Sequence, residues 1–221
     1  MRDATWIMVS AAEVPAGDEW LGVRELAALA AFRFARRRLD WRAGRWAAKQ
    51  AVLLAGAARL DQELSNFEIL SAGDGCPELW IGGRRAGVNL SISHRDGAAT
   101  ALVCGGQTLA GCDLELIEAR PQSFAEDWFT ANELAVISES SPAARDRTVT
   151  MIWSAKESAL KAIRLGLRAD TREVEISPGP RRFVASIHGR DLPGLWRVSG
   201  SWLMTAVLAG ATPHVEERMR C

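Results

Sequence analysis

Trp153-Ser154-Ala155-Lys156-Glu157-Ser158-Ala159-Leu160-Lys161 reads as a helix with two stripes. Trp153, Leu160 and Ile163 recur at spacings of seven and three and share an apolar stripe, while Ser154, Glu157 and Lys161 line the neighbouring one. The pattern sets a carboxylate and an ammonium one turn apart at the edge of a core. Alone it is equally a surface Glu-Lys pair, worth about 0.3–0.5 kcal/mol. What separates the two readings is a second acidic pattern about forty residues upstream.

That pattern is the strand Thr108-Leu109-Ala110-Gly111-Cys112-Asp113-Leu114-Glu115-Leu116-Ile117. Residues i and i+2 of a strand share a face, so Asp113 and Glu115 stand side by side while Cys112, Leu114 and Leu116 are expected to face the core. Two like charges at that distance repel, and one takes up a proton unless a cation intervenes. Mg²⁺, which prefers oxygen ligands completed by water and substrate phosphate, resolves the repulsion. The competing reading is an exposed acidic edge strand, which the apolar flanks disfavour.

Upstream, Thr5 to Val9 reads as a first strand, and a helical region is expected from about Trp20 to Leu60, broken or kinked near Asp40 and Gly56. Within it, Arg33 to Lys49 holds seven basic residues against Asp40 alone. Arg38, Arg42, Arg45 and Lys49 form one stripe beside the apolar stripe Leu39, Ala43, Trp46 and Leu53. This is either an anchored phosphate site or a basic face turned to water. Gly44 weakens the helix by roughly 1 kcal/mol relative to alanine, which points to a close neighbour.

From about Asn66 the pattern alternates. Strands are expected at Asn66–Leu70, Pro77–Ile81, Leu90–Ser93 and Ala98–Cys104, with His94 closing the third among Ser91, Ser93 and Arg95, a cluster able to hold an anion. A helical segment follows from Phe124 to Ser138, with Thr130 and Glu133 as a capping box, then a polar loop to Arg147 and the helix Val149–Leu165. Glu173–Ile176, Arg182–His188, Trp196–Ser199 and Ser201–Ala209 read as an antiparallel meander, and Pro213–Cys221 as a frayed tail. Both halves share one layout, a helix followed by short antiparallel strands, with no residue-level repeat in view. The fold class is therefore α+β, divided into residues 1–108 and 109–221, the second part carrying the carboxylates.

Composition sets the outer bounds. Lys+Arg and Asp+Glu are both 27, so no global field favours nucleic acid or an anionic membrane. Four cysteines at irregular spacing form neither a zinc pattern nor a disulfide framework, and no apolar run reaches a membrane span. A reduced, cytoplasmic setting is expected.

Five motifs then fall in one order: Trp41-Arg42-Ala43-Gly44-Arg45-Trp46-Ala47-Ala48-Lys49, Ser91-Ile92-Ser93-His94, Gly111-Cys112-Asp113-Leu114-Glu115, Phe129 with Glu133, and Trp153 to Lys161. Over residues 36 to 165 the chain resembles the Sfp-type 4′-phosphopantetheinyl transferases. The resemblance implies a monomer of two similar lobes (a pseudo-dimer), with coenzyme A in the cleft between them. It implies an Mg²⁺-dependent enzyme that moves the phosphopantetheine arm of coenzyme A to a serine of an apo acyl or peptidyl carrier protein, in fatty-acid, polyketide or nonribosomal-peptide synthesis, releasing 3′,5′-ADP. By the same token Asp113, Glu115 and Glu157 would hold the metal, and Lys161 the pyrophosphate. Ser93 and His94 would meet coenzyme A phosphates, Arg45 and Lys49 its 3′-phosphate, with Lys156 beside the site. Glu157, Lys161 and His94 would be the catalytic groups, Glu157 as candidate base. One departure stands out: many relatives carry Gly-Lys-Pro where this chain has Gly75-Cys76-Pro77, so either Arg84 or Arg85 supplies the charge or coenzyme A binds less tightly. Two other readings share these residues: another Mg²⁺-dependent phosphoryl or nucleotidyl enzyme, or a module whose basic helix binds a carrier or nucleic acid.

Overall fold

The computed structural model describes residues 4–59, 61–166, 169–210 and 215–217. The chain divides into two compact units, Met1–Thr108 with Gly210–Cys221, and Leu109–Ala209. Val215–Glu217, which the sequence pattern placed in the second lobe, pairs in parallel with Ala4–Trp6 of the first unit. The rest of the expected tail lies outside the described residues.

Unit 1 runs β1 (Ala4–Ser10), α1 (Val23–Ala30), α2 (Ala35–Leu54), β2 (Phe67–Ser71), β3 (Pro77–Ile81), β4 (Arg84–Arg85), β5 (Val88–Arg95) and β6 (Ala98–Gly105). Unit 2 runs β7 (Leu109–Leu116), α3 (Gln122–Trp128), α4 (Ala131–Glu139), α5 (Pro142–Ala162), β8 (Val174–Gly179), β9 (Arg182–Ile187), β10 (Arg190–Ser199) and β11 (Trp202–Ala209). β12 (Val215–Glu217) completes the order. The fold is α+β with antiparallel sheets, the short β1–β12 pairing excepted. Unit 2 has one sheet, β7-β11-β10-β9-β8; unit 1 has β12-β1-β6-β5 and, separately, β2-β3-β4.

Each unit is built on one long helix laid across its sheet. On α2 the small residues Ala43, Ala47, Ala48 and Ala51 are fully buried and pack with Ile7, Val9, Ala101 and Val103. Gly44 has the close neighbours its cost suggested, because a Cβ there would sit 3.0 Å from Ile92 Cγ2 and 3.3 Å from His94 Cδ2. On α5, Val149, Ile152, Ala155, Ala159 and Leu160 meet Leu203 and Val207 of β11.

Three expectations shift. Asp40 lies inside a continuous α2, and the break falls at residues 31–34, before an extended Phe34 at the N-cap. The segment 124–138 is two helices, separated at Phe129 and Thr130. The polar stretch before Arg147 is the start of α5: Ser141 is its N-cap and Pro142 takes the first helical position, where a missing N–H costs nothing.

Candidate active site

The strand that carries Asp113 and Glu115 lies directly under α5, and Gly111 is what permits it. A Cβ on Gly111 would come within 1.9 Å of the Ser158 carbonyl oxygen and 2.5 Å of the Ala162 nitrogen. Only glycine fits a backbone approach that close. The odd residues of β7 therefore face α5, not an open surface. Asp113 is 1% exposed and Glu115 7%. The expected core residues Cys112 and Leu114 are buried too, on the opposite face of the strand. Next to Asp113 in register, Thr205 ties β11 to α5: its Oγ1 donates to the Ser154 carbonyl at 2.8 Å, and the Ser154 and Ser158 hydroxyls lie 2.9 and 2.6 Å from it.

Lys161 Nζ donates to Asp113 Oδ1 at 2.7 Å and lies 3.5 Å from Glu157 Oε2. Burial, with the Asp113 carboxylate next in weight, pushes the Glu157 carboxyl up to about 7, against the pull of Lys161. Burial alone would lower Lys161, but the Asp113 and Glu157 carboxylates outweigh it and hold the ammonium above its ordinary value. Here are a base poised near neutrality and a fixed cation one turn away.

Glu115 is engaged elsewhere. Trp153 Nε1 donates to its Oε1 at 3.0 Å and Arg120 Nη2 to its Oε2 at 3.0 Å. Arg120 in turn lies over the Phe124 ring at 4.5 Å, and Phe124 packs edge-on to Trp153. The three expected metal ligands are thus divided two and one, Asp113 and Glu157 on Lys161, Glu115 on Arg120 and Trp153. Among the described residues no group of three His, Cys, Asp or Glu side chains is disposed to hold a metal. The donor chemistry nonetheless fits a hard divalent cation: Asp113 and Glu157 share one largely buried site, each favouring relief of the other's charge.

Two expected coenzyme A contacts are corrected. Lys156 is fully buried, its Nζ 2.8 Å from Glu133 and donating to the carbonyls of Thr171 (2.9 Å) and Val174 (2.5 Å). Lys49 is buried in the same manner, 2.7 Å from Glu25 and donating to the carbonyls of Trp20, Leu64 and Phe67. Burial works against each charge, lowering both lysines, and the opposing carboxylate holds against it. A lysine with all its donors satisfied inside the core does not reach a phosphate.

Glu25 and Glu133 correspond closely. Each takes the third position of its helix, accepts from the N-cap backbone (Gly22, Thr130) and accepts from the amide of the first meander strand (Ile69, Ile176). With the lysines as anchors, Trp46-Ala47-Ala48-Lys49-Gln50 aligns with Trp153-Ser154-Ala155-Lys156-Glu157, and Glu25-Leu26-Ala27 with Glu133-Leu134-Ala135. The residues these short stretches share are those of a buried Glu–Lys pair.

Residues 110–207, all in unit 2, match the model of the 4′-phosphopantetheinyl transferase superfamily. Solved structures similar to this chain include three holo-[acyl-carrier-protein] synthases. The holo-[acyl-carrier-protein] synthase of Thermotoga maritima is 23% identical over 58% of this chain and 75% of that one, TM-score 0.40. That of Helicobacter pylori, in complex with coenzyme A, is 17% identical over 46% and 98%, TM-score 0.37. The Chronobacterium ammoniagenes ACPS–CoA complex is 23% identical over 46% and 93%, TM-score 0.35. No curated protein matches the chain.

The remaining candidate residues lie in unit 1. Ser93 and exposed His94 close β5. Arg45 is 8% exposed, its guanidinium 4.6 Å over the Trp41 ring and 3.4 Å from Ser71 Oγ, and burial, partly offset by Glu25, lowers it to about 10. The basic stripe is largely used internally: Arg38 donates to the Leu29 carbonyl and Arg42 to those of Pro15 and Gly17. Cys76 stands in a turn, its amide on Asp74, while Arg85 pairs with Glu78 and Arg84 is exposed. Arg120, the partner of Glu115 that the sequence pattern did not reveal, lies five residues beyond it with no periodicity to mark it. No helix among the described residues is long and apolar enough to cross a membrane.

Proposed function

We propose that the chain transfers the 4′-phosphopantetheine arm of coenzyme A to a serine hydroxyl of an acyl or peptidyl carrier protein, and that it is a transferase of the Sfp type, its two units arising by internal duplication as a pseudo-dimer. The observation that carries the chemistry is the buried Asp113–Lys161–Glu157 cluster inside the segment matched by the superfamily model. The Trp-x-x-Lys repeat with its matching Glu-Lys pairs supports the duplication.

In this reading the serine oxygen attacks the phosphorus that bears the pantetheine arm, the bond from that phosphorus to the bridging oxygen breaks, and 3′,5′-ADP departs. Glu157, whose carboxyl titrates near neutrality, receives the serine proton. Lys161, held charged by Asp113, neutralises the departing phosphate oxygens, a preorganised charge in a site with little water. Asp113 orients that ammonium and keeps it from swinging away. Mg²⁺, when bound, would be held by Asp113 and Glu157 with Glu115 next on the strand, and would supply further charge neutralisation on the pyrophosphate. Ser93 and His94 serve as phosphate contacts.

The test is the intact mass of an apo carrier protein after incubation with the chain, coenzyme A and MgCl₂. A gain of one phosphopantetheine that disappears with Glu157→Ala is the expected result. No gain on fatty-acid, polyketide and peptide carriers alike would overturn the proposal.

A further inference from the structure

Unit 1 holds a cavity of about 300 Å³ lined by Ile7, Met8, Val9, Glu13, Trp46, Gln50 and Leu54. Its position in the fold can be fixed by counting. Ile7 pairs with the fourth residue of β6, and Asp113 pairs with the fourth residue of β11, each strand following a two-residue turn. By the same register Val9 stands where Glu115 stands. On the helices, counted from the buried lysines, Trp46 corresponds to Trp153, Gln50 to Glu157 and Leu54 to Lys161. The cavity is therefore unit 1's version of the transfer site, with two carboxylates replaced by Ile and Val, the third by an amide, and the lysine by a leucine.

The chemistry of the lining decides what it takes. The floor and walls are apolar, with the indole of Trp46, itself edge-on to Trp20, as the aromatic surface. Its polar side chains are the Gln50 carboxamide and the Glu13 carboxylate, and neither lysine nor arginine lines it. A phosphate or carboxylate ligand would lose its water and gain no cation, so coenzyme A has no place there. Glu13 is exposed at the cavity's edge, where its Oε2 accepts from the Ser10 amide at 2.6 Å and its remaining lone pairs can take a cation. The size lies at the lower end of small-molecule sites.

We propose that this cavity binds a small cationic amphiphile, an aromatic or branched apolar body carrying one protonated nitrogen, with the body against Trp46, Ile7, Val9 and Leu54 and the nitrogen at Glu13. The site is independent of the transfer reaction, so its test reads binding and not turnover.

Tryptamine, indole and indole-3-acetate share one ring and differ in charge. Titrated into the full chain with the Trp indole nitrogens labelled, tryptamine is expected to move the Trp46 indole signal, identified with Trp46→Phe, saturably and at submillimolar to millimolar concentration, leaving the Trp153 signal in place. Indole-3-acetate should bind about fivefold or more weaker, the scale of an exposed charge contact, and Glu13→Gln should remove most of that difference. Leu54→Trp, which fills the cavity, should abolish all three; if it fails to fold, the Glu13→Gln comparison stands alone. An unmoved Trp46 signal, equal binding of the anion and the cation, or a charge preference intact in Glu13→Gln would each overturn the proposal.

Discussion

The turn of α5 from Lys156 to Lys161 and the turn of α2 from Lys49 to Leu54 start from the same buried lysine and diverge one residue later. In both, the lysine is anchored by a helix-capping glutamate and backbone carbonyls. In unit 2 the next residue is Glu157, with Lys161 a turn on; in unit 1 they are Gln50 and Leu54. Lys156 and Lys49 serve the scaffold of their units, and the residues that follow them carry the difference.

The largest expected effect breaks the chemistry alone. Glu157→Gln should lower phosphopantetheinyl transfer by roughly 10²–10⁴-fold, the usual range for a lost general base. It should also make the ligand-free chain more stable above neutral pH. A carboxyl raised to about 7 in the folded chain from 4.5 unfolded binds more protons when folded. Its contribution is therefore full below about 4.5 and is lost as pH climbs to about 7. Each pH step of one between those two values costs about 1.36 kcal/mol, so the accumulated cost above about 7 is roughly 3 kcal/mol. Chemical denaturation of the two proteins at pH 5 and pH 8 checks this: the gap should appear at pH 8 and close at pH 5. For the wild-type chain, kcat/KM should rise with pH through about 7.

Next in size is the scaffold. Lys156→Met leaves Glu133 buried without its cation and should cost about 3–5 kcal/mol, and Lys49→Met should cost the same through Glu25. Replacing both partners, as in Lys156→Met with Glu133→Leu, should recover much of the loss, because two matched apolar groups bury no charge. Denaturation midpoints measure all three. If Lys156→Met instead kept its stability and lost coenzyme A affinity, the lysine would be a ligand and the parallel between the units would fail.

These pairs also mark how far the sequence could be read. The strand Gly111 to Glu115 and the helix ending at Lys161 were legible because period two and period 3.6 place Asp113, Glu157 and Lys161 without knowledge of the rest. The use of Lys49 and Lys156 was not, since a lysine beside a catalytic pattern looks the same on paper whether it faces a phosphate or a glutamate over twenty residues away. Glu115 was placed on the right strand face, yet its partner Arg120 comes from an aperiodic segment and is fixed only by packing on Phe124. The start of α5 at Ser141-Pro142 was legible in principle, as an N-cap followed by proline, and was outweighed by the polarity of residues 138–147.

The smallest effect tests whether the two turns are counterparts in energy as well as in position. Gln50→Glu rebuilds the Glu157 carboxylate in unit 1, half-buried and near Glu13, with Leu54 offering no charge. It should destabilise the chain by about 1 kcal/mol at pH 8, the scale of a partly buried charge facing a like charge. Adding Leu54→Lys restores the one-turn Glu-Lys spacing of unit 2, so the double variant should regain most of that loss. A double-mutant cycle would then give a coupling of about 0.5–1 kcal/mol. It should be smaller than the Glu157–Lys161 coupling, because Asp113 has no equivalent at Ile7 to hold the ammonium in place. A coupling of zero would mean that residues 50 and 54 do not face each other as 157 and 161 do, and that the shared lysine anchor does not extend to the turn that follows it.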